Sequence, residues 1–210
     1  MKTFADPSTS PARYVRTLTI DGPDLITITS PDADPWLRSF HLIERLVIDT
    51  ARRRDVKFSF FQLRGSFPIL KSLDITCAYI PPSEVFGLIC SFPLLKVLYL
   101  DSEVPMRETD GWDAPPTLPK LTRLRLHGHV PSVARGLLGL PGRLHFCWLM
   151  VTCNVAEDFE SVADLASRGS GTLESLRVYC DRSRAFSSFP APTHTSPSCE
   201  SRWISHANST

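Results

Sequence analysis

One short phrase, apolar-x-x-Leu-x-apolar, recurs seven times along the chain, and this repetition limits the possible folds more than any other feature. The copies are Val15-x-x-Leu18-x-Ile20, Ile43-x-x-Leu46-x-Ile48, Leu70-x-x-Leu73-x-Ile75, Leu95-x-x-Leu98-x-Leu100, Leu121-x-x-Leu124-x-Leu126, Phe146-x-x-Leu149-x-Val151 and Leu173-x-x-Leu176-x-Val178. Their first residues lie 25 to 28 positions apart. Proline stands two residues before three of the copies, in Phe67-Pro68, Phe92-Pro93 and Leu118-Pro119. The chain holds 18 prolines in 210 residues, well above the average of about 5%.

Each phrase alternates at its end, as in Leu73-Asp74-Ile75, which predicts a short strand with one buried face. Between strands the period changes. Asn154-Val155-Ala156-Glu157 has capping-box spacing, and Phe159, Val162, Ala163 and Ala166 follow at helical positions. Pro81-Pro82-Ser83 introduces a second helix with Phe86, Ile89 and Cys90 on one face, and Pro131-Ser132 a third with Val133, Leu137 and Leu140. A helix is expected to end before each proline, because proline disfavours helical geometry in the preceding residue. A strand and a short helix of this length bury little alone, but stacked neighbours share a continuous core. The expected architecture is therefore α/β: a leucine-rich-repeat solenoid of about seven irregular repeats, its curved parallel sheet on the concave side and irregular helices on the convex side. The usual asparagine-type ending is absent, though Ile75-Thr76-Cys77 places a cysteine nearby. The domain expectation is an N-terminal extension over 1–13, the repeats over 14–180 and a disordered Ser/Thr/Pro-rich tail over 181–210.

Residues 11–20 (PARYVRTLTI), 66–75 (SFPILKSLDI), 91–100 (SFPLLKVLYL) and 171–178 (GTLESLRV) resemble the repeat region of fungal F-box-like leucine-rich-repeat proteins, especially those of mushroom-forming fungi. The resemblance spans roughly residues 11–180. It implies recognition of a partner by the repeats, and in the family an F-box ahead of the first repeat docks the chain onto a cullin-based ubiquitin ligase. Residues 1–14 contain no leucine and are not expected to form that helical element, so binding to the ligase adaptor is not expected.

Composition narrows the function classes. The net charge is +1, which argues against the broad cationic face that nucleic acid or an anionic membrane requires. Hydrophobic residues make up 42% and charged residues 21%, excluding wholesale disorder, and no apolar run reaches the roughly 18 residues of a membrane span. No apolar segment follows Lys2 as a signal peptide would need, so a cytoplasmic or nuclear address is expected. Six cysteines are too sparse for a disulfide scaffold, and Cys77, Cys90, Cys147 and Cys180 read as small core side chains. Residues 101–119 form the longest irregular insertion candidate.

Strand positions between anchors face away from the core and hold the candidate binding residues. Between the last two anchors stand Thr19, Val47, Asp74, Tyr99, Arg125, Met150 and Arg177; just after the last anchor stand Asp21, Asp49, Thr76, Asp101, His127, Thr152 and Tyr179. Acids fall in the first four repeats and basic groups in the last three, with Arg123 added to the latter. The reading is a non-enzymatic, monomeric protein-interaction module, related to the substrate-recognition repeats of F-box proteins, that binds an unidentified protein through Tyr99, Asp101, Arg123, Arg125, His127, Met150 and Arg177. No cofactor, metal, nucleic acid or membrane is expected. Alternatives are a small hydrolase using His127 and His129 with nearby Cys or Asp groups, and a truncated, non-functional gene fragment. Gly128 fits the turn leaving its strand; His127, His129, Cys147 and Cys153 lack zinc-finger spacing; and the run Arg52-Arg53-Arg54, bracketed by Asp49 and Asp55, reads as a solvated surface. No phosphate loop, Gly-x-Ser-x-Gly or His-Glu-x-x-His occurs.

Overall fold

The computed structural model describes residues 11–21, 40–49, 63–77, 82–102, 119–128, 130–139, 144–153 and 156–180. Seven strands run through them: β1 (Thr17–Asp21), β2 (Arg45–Asp49), β3 (Ser72–Cys77), β4 (Val97–Ser102), β5 (Arg123–Gly128), β6 (Trp148–Cys153) and β7 (Ser175–Cys180). Every strand pairs in parallel with the next one in the chain, giving an open sheet ordered β1 to β7. The register follows the phrase without slip, so Leu18, Leu46, Leu73, Leu98, Leu124, Leu149 and Leu176 lie side by side in one row.

Burial explains why the phrase has its form. The leucines of β2 to β6 are fully buried, as are the anchors ahead of them from Ile43 to Phe146 and behind them from Ile20 to Val151. Val15, Leu18, Leu173, Leu176 and Val178 are only partly buried, because an edge strand has a neighbour on one side alone. A second regularity lies in the backbone. Six carbonyls at the second phrase position, from Arg16 to Cys147, each accept two N–H groups from the following unit, at 2.7–2.9 Å and 3.0–3.1 Å. Each strand is thereby positioned by the unit before it.

The lead-in forms a turn. Leu70 and Leu95 donate N–H to the carbonyls of Phe67 and Phe92, both at 3.1 Å, with Pro68 and Pro93 at the turn position where a fixed φ is favourable. Both phenylalanines are buried, their rings 6.5 Å apart. Val15 to Ala12 and Ile43 to Phe40 repeat this bond at 3.2 Å, whereas Leu121 donates to Pro119 itself at 2.8 Å, a tighter turn. Pro11–Tyr14 is a short 3-10 helix whose Ala12 is buried in the core, so packing begins ahead of residue 14.

Among the described residues three helices separate later strands: α1 (Pro82–Cys90), α2 (Val130–Gly139) and α3 (Ala156–Arg168). Phe86, Leu88 and Ile89 of α1 and Val133, Ala134 and Leu137 of α2 join the cluster built by the strand anchors, so the helices cover that face of the sheet. Phe86 lies so close to Gly136 that a Cβ there would stand 2.3 Å from its ring. The expected face of α3 is corrected: Phe159 is 47% exposed and Ala163 is exposed, while Asp158, Val162 and Leu165 are buried. Burying Leu165 removes more apolar surface than burying Ala163, and Val162 shares its side of the helix; that rotation turns Phe159 outward. Asp158 sits in the first turn, where the helix N-terminus favours a carboxylate.

The cysteine expectation also changes. Cys153 is buried, Cys90 and Cys147 are half-buried, and Cys180 is exposed because it ends an edge strand. Gly128 has φ +87°, the left-handed geometry expected where the chain leaves β5. Among the described residues no helix is long and apolar enough to cross a membrane. The capping residues Asn154 and Val155, Leu140, His129, the Arg52-Arg53-Arg54 run, most of the 101–119 insertion and the 181–210 tail lie outside the described residues.

Candidate functional site

Strand alternation puts three positions of each unit on the sheet face opposite the helices. They form three columns of seven, and none of the residues in them is buried. Parallel sheets are usually covered on both faces; among the described residues this one is covered on one. The middle column holds Asp74, Tyr99, Arg125, Met150 and Arg177 on β3 to β7, and the last column holds Asp101 beside His127. The first column, from which the sequence analysis names Arg123 alone, also contains Arg45, Val97 and Trp148. Parity gives these away, since position three of the phrase faces the same way as positions five and seven.

At the junction of β4 and β5 four candidates are linked. The Arg125 guanidinium lies over the Tyr99 ring, 4.4 Å from its centre, and the Tyr99 hydroxyl donates to Asp101 Oδ2 at 3.3 Å. His127 Nδ1 is 2.9 Å from Asp101 Oδ1; an ionised carboxylate only accepts, so Nδ1 donates. Burial, and next the charge of Asp101, push the Tyr99 phenol above its ordinary value. One strand further, Arg45 Nη2 approaches Asp74 Oδ2 at 3.6 Å.

No family model, curated protein or solved structure matches the chain.

The remaining candidates, Arg123, Met150 and Arg177, share the face but do not join the linked four. Asp101 and His127 have the orienting contact that a hydrolase base requires. Among the described residues no group of three or more His, Cys, Asp or Glu side chains converges on a common point. Burial pushes the Cys153 thiol up to about 12 and that of Cys90 to about 11, so both stay neutral at physiological pH. An open groove of about 830 Å³ on the helix side, lined by His145, Asp164 and Arg168 among others, lies apart from these groups.

Asp74 yields a pH prediction. Its carboxyl is held above the usual range mainly by burial, which outweighs the attraction of Arg45 and Arg125, while Asp101 adds repulsion. The folded state therefore holds this proton more tightly than the unfolded chain. Its stability contribution is largest below the unfolded carboxylate value of about 3.9 and declines as pH rises through the folded value. Asp74→Asn should accordingly gain stability relative to the parent as pH rises from about 3 to 7, which thermal unfolding across that range measures. An opposite slope would show that Arg45 outweighs burial, and a flat difference that the two cancel.

Proposed function

We propose that the chain is an irregular leucine-rich-repeat solenoid of about seven units that recognises another protein on its open sheet face, without catalysing a reaction. The observation that carries this reading is a parallel sheet in strict chain order which, among the described residues, is packed on one side and presents a mixed polar, aromatic and arginine surface on the other. Such an arrangement stacks one unit per strand, and a shorter rise on the sheet side than on the helix side would make the open face the hollow of an arc. Tyr99 and Arg125 supply the large, low-entropy groups that dominate binding surfaces, already ordered against each other before a partner arrives. The likeness of the phrase to F-box-like repeat proteins supports the same role, substrate recognition.

A photo-crosslinking amino acid at Val97 on the open face, compared with one at the exposed Glu160 of α3, tests the reading in cells. Val97 should give the stronger adduct with a single protein, and purified unlabelled chain should compete it away. Against that protein, Arg125→Ala should weaken binding at least about tenfold, and Glu160→Ala by less than about twofold. Adducts confined to Glu160, or equal losses from both variants, would place recognition on the helices instead.

A further inference from the structure

The two halves of the open face differ in how their charges are used. On β3 and β4 the acids are engaged: Asp74 pairs with Arg45, and Asp101 takes bonds from His127 and Tyr99. On β5 to β7 the face carries Arg123, Arg125 and Arg177 and no carboxylate. Arg125 is stacked on Tyr99, but the side chains of Arg123 and Arg177 make no hydrogen bond or ion pair among the described residues, and both are exposed. Between them stand Trp148 and Met150, half-buried, with Trp148 in register with Arg123 and Met150 with Arg125 and Arg177.

We propose that β5 to β7 form the docking end of the face and take an acidic segment of a partner protein, with an apolar side chain on Trp148 and Met150 and flanking carboxylates on Arg123 and Arg177. Strand spacing and rise put Arg123 and Arg177 about 12 Å apart, on a diagonal that crosses β6 between Trp148 and Met150. Carboxylates four residues apart in an extended chain share one face and span about 13 Å, with the side chain midway between them on the same face. Unpaired guanidinium groups bind carboxylates in bidentate fashion, and the partly desolvated tryptophan beside them strengthens that contact by lowering the local dielectric. The same charges repel a basic segment from β5 to β7, and the acids nearest them on the face, Asp74 and Asp101, are already paired. This inference rests on partner recognition by the open face.

The test is fluorescence anisotropy of the full chain with a labelled peptide carrying Glu-Ser-Leu-Ser-Glu, which puts both carboxylates and the leucine on one face when extended, its Gln-for-Glu and Lys-for-Glu counterparts, and a single-stranded DNA oligonucleotide of the same net charge. The acidic peptide should bind at least tenfold tighter than the other three, and added salt should weaken it. The double variant Arg123→Gln/Arg177→Gln should lose at least tenfold of that affinity, and Trp148→Ala several-fold, with thermal unfolding unchanged. The off-face double variant Lys71→Gln/Lys96→Gln, which removes equal charge, should lose less than threefold. Equal losses from the two double variants, equal binding of the Lys peptide, or tighter binding of the oligonucleotide would overturn the proposal, the last by making nucleic acid the ligand. If the acidic peptide does not bind while the protein crosslinked at Val97 is retained by Arg123→Gln/Arg177→Gln, the acidic assignment fails and recognition by the face survives. Loss of the Val97 adduct as well removes both.

Discussion

Leu98→Ala should lower the free energy of unfolding by about 2–5 kcal/mol, measured by urea denaturation with an unchanged slope. Leu98 is fully buried at the centre of the leucine row, with Leu73 on one side and Leu124 on the other. Removing its side chain costs the transfer of three carbons and leaves a void that both neighbours line. Neither can collapse into it, because each is held in register by its own strand and turn. Leu176→Ala is the control, since the same residue at the same phrase position is only partly buried on the edge strand and should cost clearly less. If the two substitutions cost the same, the row does not act as a shared core.

Phe146→Ala should cost about 3–5 kcal/mol, and it should change the sign of a second substitution. Phe146 is a buried first anchor, and its ring lies directly against Gly169 at the end of α3. A Cβ on Gly169 would stand 2.8 Å from ring carbon Cε2, closer than packing allows. Gly169 does not have positive φ, so backbone strain does not oppose alanine there, and reduced freedom of the unfolded chain favours alanine by about 0.4–1 kcal/mol. In the parent the overlap outweighs that gain, because overpacking a filled core costs about 1–3 kcal/mol. With the ring removed by Phe146→Ala the overlap disappears, and Gly169→Ala should become neutral or stabilising. A double-mutant cycle reads the coupling directly. Independent, additive effects would mean that the ring does not rest on Gly169.

The leucine row was legible from sequence because the phrase marks the same three inward positions in every unit, and sheet register depends on that inward pattern. The pairing of Asp101 with His127 and of Arg125 with Tyr99 was foreshadowed for the same reason: column neighbours in sequence became column neighbours in space. Arg45 with Asp74 was not foreshadowed, since these residues belong to adjacent columns and meet on a diagonal. The face of α3 differs from the expected one because Phe159 fits the periodic pattern, while the burial of Leu165 decides the rotation, and that depends on packing against other elements. The turns at Phe67 and Phe92 were half visible. Proline signalled extended chain, but the carbonyl that accepts the closing bond belongs to the phenylalanine before it.

The doubled N–H contacts to the carbonyls from Arg16 to Cys147 have a consequence for how such a chain can change over evolutionary time. They tie the start of each strand to the preceding one through main-chain atoms, so neither side-chain identity nor the number of residues in between is specified. Spacings from 25 to 28 residues already coexist here without any slip between strands. Connections can therefore lengthen, shorten or be exchanged while the outward residues keep their addresses, and a duplicated unit would insert one complete new row of three. The backbone acts as an indexing device: it conserves the coordinates of the surface and leaves its lettering free to drift.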